Sequence, residues 1–217
     1  VSVDRKELIE RIVNELGEKA VPKLVELLKT EEEPETWELI AEALIAIGPV
    51  GQDALYEEFV NSISPTPVKN DPYPLSLANA LAESGDDRLK KHLPELMKYY
   101  DELGQLFIYD IMVELGEYDE SLTDVVGYHL LDSSSQTENV ELAVVILSKI
   151  ANEKALDYLI RAYSEFSKQE NRSVVALILE GIYRAVVSNP QLEEKLRTYE
   201  DVEEILEKLR ALLEEKE

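Results

Sequence analysis

The chain has 217 residues, 45% of them hydrophobic, which is enough for a continuous buried core and argues against disorder over most of its length. It contains no cysteine, which excludes disulfides, thiolate zinc sites and a cysteine nucleophile and suits a reducing compartment. Its formal net charge of −24 repels polyanions at long range, so nucleic acid and anionic membranes are excluded as expected partners.

Helical periodicity dominates, no segment alternates as a strand does, and the expected class is all-α. The predicted helices run over Arg5 to Leu16, Ala20 to Lys29, Thr36 to Ile47, Gln52 to Ser62, Leu75 to Ser84, Asp87 to Tyr100, Gln105 to Leu115 and Glu120 to Asp132. Further ones cover Glu138 to Ile150, Glu153 to Ser167, Arg172 to Val187, and Gln191 onward with a break near Thr198. The segment "ISPTPVKNDPYP", residues 63–74, carries four prolines that forbid a regular helix, so a stiff inter-repeat loop is expected there. No apolar run approaches the roughly 20 residues of a membrane span, and "VSVDRKELIE" has no signal-peptide core, so a soluble, cytoplasmic protein is expected.

Every second helix falls into register. Val21, Leu55, Leu89, Leu122 and Leu156 form one column, and Val25, Phe59, Leu93, Val126 and Ile160 form a second. Gly17, Gly51 and Gly85 form a third, each four residues ahead of the first, where a turn is expected. A helix pair of this length cannot bury its apolar stripe alone, so stacked neighbours must supply the core. The "GxxAVPxLxxLL" stretch followed by "ETWELIAEALIAIG" resembles a HEAT-type repeat of the short kind also found in bilin-lyase-like proteins. Tetratricopeptide repeats share the period, but Trp37 is the only tryptophan and their opening signature is not repeated. The resemblance implies an α-solenoid of about six stacked antiparallel helix pairs, one domain over residues 1–217. A polar capping unit is expected at 190–217, where the last unit has only one neighbour.

Sequence motifs for catalysis or metal binding are missing: there is no phosphate loop, HExxH, nucleophile elbow or calcium loop, and only two histidines occur. No cofactor, no metal and no catalytic residue is therefore assigned. His92 shares an inward-facing column with Leu24, Glu58, Val125 and Leu159, and stacking could join it to Glu58 either as a titrating pair or as a plain polar contact. His129 lies in the column of Leu28, Leu96 and Tyr163, where packing accounts for it.

If those columns face the core, the opposite face of the second helices carries Glu57, Asn61, Lys91, Glu95, Lys98, Asp124, Tyr128, Tyr158, Arg161 and Glu165. In HEAT-like solenoids the second helices line the concave surface, so the resemblance implies that these ten residues form a groove. Tyrosine and arginine commonly anchor interfaces, and Lys90, Lys91 and Lys98 make a basic island in an acidic chain. The expected function is a non-catalytic scaffold or interaction module that binds a protein or peptide, for which a basic surface is the electrostatic complement. Against that complement stands a plainer account of the charge: 34 Glu and 12 Asp, with Glu suiting any solvated helix face. The alternatives are a bilin-lyase-like enzyme or helper, for which no residue set can be carried over, and a designed repeat protein. Nothing in the sequence fixes the oligomeric state.

Overall fold

The computed structural model describes residues 4–132, 137–169, 171–199 and 202–214. Among these there are thirteen α-helices, several 3₁₀ turns and no strand, as the periodicity predicts. The helices fall into two compact units, Val1–Leu115 and Gly116–Glu217. No helix among the described residues is long and apolar enough to cross a membrane.

The first unit holds α1 (Arg5–Glu15), α2 (Val21–Thr30), α3 (Pro34–Ile47), α4 (Pro49–Ser62), α5 (Pro72–Glu83), α6 (Leu93–Leu96) and α7 (Glu102–Glu114). Alternate helices pack in a row, α1 on α3, α3 on α5 and α5 on α7, while α2 packs on α4 behind them. The second unit holds α8 (Glu120–Leu131), α9 (Thr137–Ile150), α10 (Glu153–Lys168), α11 (Arg172–Ser188), α12 (Leu192–Leu196) and α13 (Val202–Glu214). There α8 packs on α10 and α9 on α11, and α11 meets α13.

The repeat columns are the core. Leu55, Leu89 and Leu156 are fully buried, Val21 and Leu122 nearly so, and in the second column Phe59, Leu93, Val126 and Ile160 are buried with Val25 half-buried. Each such side chain contributes about 1.5–3 kcal/mol of transfer free energy, which is why the columns persist while the residues between them drift. Aspartate has a second job. Asp4, Asp71, Asp101 and Asp119 are N-caps, and Asp86 caps the 3₁₀ turn at Asp87–Leu89, each carboxylate accepting from a first-turn amide.

Several expectations need correction. The predicted helix over Asp87 to Tyr100 is broken into the 3₁₀ turn, α6 and a second 3₁₀ turn at Met97–Tyr99. Pro94 is the reason: it has no amide to donate and its ring would collide with the carbonyl four residues back, so it is accommodated only in the first turn of a new helix. The same rule shortens the proline loop. Pro72 and Pro74 lie in the first turn of α5 behind the Asp71 cap, so the irregular stretch ends at Asp71.

The glycine column is also wrong at one place. The turn before α4 is made by Gly48 at φ +106°, in line with the positive φ of Gly17, Gly85 and Gly116. Gly51 sits inside α4, where a Cβ would stand 2.0 Å from the Leu44 carbonyl oxygen, so it is glycine to let α3 and α4 approach. The expected capping unit divides into α12 and α13 around the predicted break, and residues 200–201 and 215–217 lie outside the described residues.

Candidate functional site

All ten candidate groove residues are exposed or half-buried, as an outward face requires. In the first unit, Glu57 and Asn61 stand exposed on α4, and Lys91 follows the 3₁₀ turn that replaces the predicted helix. Glu95 on α6 and Lys98 beyond it bind each other at 2.5 Å, and that carboxylate raises the Lys98 ammonium above its ordinary value. The organising side chain here is Tyr56. The Arg88 guanidinium lies over its ring at 4.2 Å and the Lys91 ammonium at 5.7 Å, while its hydroxyl meets His92 Nε2 at 3.0 Å. Arg88 also donates to Asp53 at 2.7 Å and to the buried Asp86 at 2.6 Å, which holds the Asp86 carboxyl below the usual range.

Glu58 and His92 find other partners than each other. Glu58 is buried and accepts from the Tyr73 hydroxyl at 3.2 Å, with the Lys29 ammonium 3.1 Å away. His92 is half-buried, and its pKa is lowered by that burial and by the neighbouring Lys91 charge. Val125 departs from the expected inward column: it is 40% exposed on α8.

In the second unit, Asp124, Tyr128, Tyr158, Arg161 and Glu165 lie on the packed pair α8 and α10. Asp124 accepts from Lys154 Nζ at 2.7 Å and from the Tyr158 hydroxyl at 2.9 Å. The Lys154 bond and then the Tyr158 bond hold the Asp124 carboxyl below its ordinary range, while partial burial and the bond to Asp124 push the Tyr158 hydroxyl up. Tyr158 lies against Gly127, where a Cβ would come within 2.4 Å of its ring, so only glycine leaves room for the ring. The Arg161 guanidinium lies 5.7 Å from the centre of that ring. Beside this ordered group Tyr128 is 69% exposed, one turn from Val125. Below it, Leu131, Arg161, Ser164, Glu165, Phe166 and Gln169 line a cavity of about 320 Å³.

Sequence reasoning misses Lys154 and Gly127; for Lys154 a spacing links it to Tyr158 without naming the acid they share, and for Gly127 there is none. "KALDY" (Lys154 to Tyr158) and "KLRTY" (Lys195 to Tyr199) share a Lys-x₃-Tyr spacing, which puts the first pair on one face of α10, while Tyr199 lies just beyond the end of α12. The second pair repeats the first: Tyr199 donates to Asp157, and Lys195 stands 3.5 Å from the same carboxylate. Among the described residues no cluster of three or more His, Cys, Asp or Glu side chains could hold a metal ion.

Comparison of the chain with protein-family models, with curated proteins and with solved structures finds no match.

Proposed function

We propose that the chain is a HEAT-like α-solenoid that binds a protein or peptide on its second-helix face, with the α8–α10 face as the principal contact. The observation that carries this is the 69% exposure of Tyr128 beside a group that is already fixed. A tyrosine in solvent is an amphipathic anchor of the kind enriched at interface hot spots. On the packed helix α10, Tyr158 is held by its bond to Asp124 and by the Gly127 contact, with the Arg161 guanidinium 5.7 Å from its ring, so that ring has little side-chain entropy left to lose on binding. Packing of alternate helices in rows supports the solenoid reading.

The test is selection of ligands from a random peptide display library, followed by affinity measurement on the parent and on Tyr128→Ala, Arg161→Ala and the double variant. Tyr128 and Arg161 are exposed, so both changes leave the helical circular dichroism intact. Selected peptides are expected to lose tenfold or more in affinity for Tyr128→Ala. A peptide bound equally by parent and double variant would place recognition elsewhere and overturn the assignment.

A further inference from the structure

A second cavity in the Gly116–Glu217 unit has a different chemistry. It measures about 340 Å³, at the small end of the range for ligand pockets, and is lined by Ser167, Arg172, Val175 and Lys208. These come from the C-terminal turn of α10, the first and second turns of α11, and α13. Three observations point to one class of ligand. The Ser167 hydroxyl oxygen is buried without a hydrogen-bond partner, which costs free energy unless something fills the role. Arg172 is exposed and has no carboxylate partner among the described residues, in a chain where Asp and Glu outnumber Lys and Arg by 46 to 22. The Lys208 ammonium is fixed at the cavity by the Tyr163 hydroxyl at 2.9 Å and by Glu204 at 2.6 Å.

We infer that this cavity is a binding site for a phosphate group, either free or carried on a small molecule. A guanidinium fork, the remaining donor of the ammonium and a hydroxyl can each meet a different oxygen of a phosphate, whose larger charge also binds such donors more strongly than a carboxylate does. Glu204 offsets the charge of Lys208, so Arg172 carries the net attraction. The start of α11 adds to it, because Asn171 caps only the Val174 amide and the helix dipole favours an anion there. The overall charge of −24 does not prevent binding at physiological ionic strength, where the Debye length is about 8 Å and the local cations dominate. This site is separate from the α8–α10 face and stands whether or not that face binds a partner.

The test is a titration of the full chain followed by two-dimensional amide NMR, with inorganic phosphate, O-phosphoserine, acetate and chloride at matched ionic strength. Saturable shifts confined to amides around 167, 172–175 and 208 are expected with the two phosphates, at an affinity at least tenfold above that for acetate. Arg172→Gln is expected to weaken phosphate tenfold or more and Lys208→Gln by a similar factor, with Ser167→Ala weakening it about threefold. All three substitutions are judged on variants whose amide spectra away from the cavity match the parent. O-phosphoserine binding tenfold tighter than phosphate would identify a monoester ligand, and equal affinities would identify the free ion; either supports the site. Equal responses to phosphate, acetate and chloride, or an unchanged affinity in Arg172→Gln, would overturn it.

Discussion

Gly127→Ala isolates the contact on which the α8–α10 face depends. In the interior of α8 an alanine is intrinsically better than glycine by about 0.8–1.0 kcal/mol, so helix propensity alone predicts a gain in stability. The structure predicts the reverse. The new methyl would stand 2.4 Å from Cγ of Tyr158 and 2.5 Å from a neighbouring ring carbon, about 1 Å or more inside ordinary contact. Cγ is the root of the ring, so flipping the ring does not clear the clash, and either the whole side chain or the α8–α10 spacing must give. Overpacking of this kind costs about 1–3 kcal/mol, and displacing the ring also endangers the hydroxyl's bond to the Asp124 carboxylate, worth a further ~1 kcal/mol for a half-exposed pair. Set against the propensity gain, the net loss is about 1–3 kcal/mol. The assay is urea denaturation of four proteins: parent, Gly127→Ala, Tyr158→Ala and the double variant. In the Tyr158→Ala background the clash is absent, and Gly127→Ala should stabilise by about 1 kcal/mol, so the sign of its effect reverses. A stabilising effect of Gly127→Ala in the parent background would refute the packing described for Tyr158.

Phe59→Ala, at a fully buried column position, should cost about 3–5 kcal/mol in the same denaturation assay, whereas Val25→Ala, half-buried one repeat earlier, should cost clearly less. His92 has its pKa below the ordinary value near 6.5, so the unfolded chain takes up that proton first as pH falls. Its contribution to stability is therefore complete above pH 6.5 and is lost progressively as pH drops from there to the folded value; comparing His92→Gln with the parent between pH 5 and pH 8 should show a smaller pH dependence in the variant. Asp124 has a depressed pKa, so its contribution is present above the ordinary carboxylate range and lost as pH falls through the folded value. The stability deficit of Asp124→Asn should accordingly be seen at pH 7 and shrink in acid, as followed by thermal melts.

The helical class and nearly all helix positions were legible because burial acts on period, and the two apolar columns recur in five successive repeats whatever lies between them. What was illegible depended on backbone chemistry or on distant neighbours. Pro94 sits within an apolar-periodic stretch that reads as one helix, and only its missing amide and ring volume break that stretch. Gly51 and Gly48 are three residues apart, and choosing between them as the turn requires knowing that Leu44 lies against one of them. At the candidate site the exposed faces of the helices could be drawn from periodicity, but the contacts could not. Lys154 looks like any solvated helix lysine until Asp124, 30 residues away, is placed beside it.

The polar contacts of the second unit bear on how the α8–α10 face works. Each isolated surface pair is worth little, so the Asp124 and Asp157 clasps are not a main source of stability. Their effect is on geometry. Lys154 and Tyr158 of α10 reach back to Asp124 on α8, while Asp157 of α10 accepts from Tyr199 and faces Lys195 of α12. The α10 helix is thus tied through side chains to a partner before it and another after it, on top of its buried contacts with α11. Arg161 projects from this doubly tied helix 5.7 Å from the centre of the Tyr158 ring. A tied helix that holds the Tyr158 ring in place, on a helix pair that also exposes Tyr128, offers a ligand an aromatic surface with a reduced ordering cost, which is the physical requirement of a preorganised interaction surface.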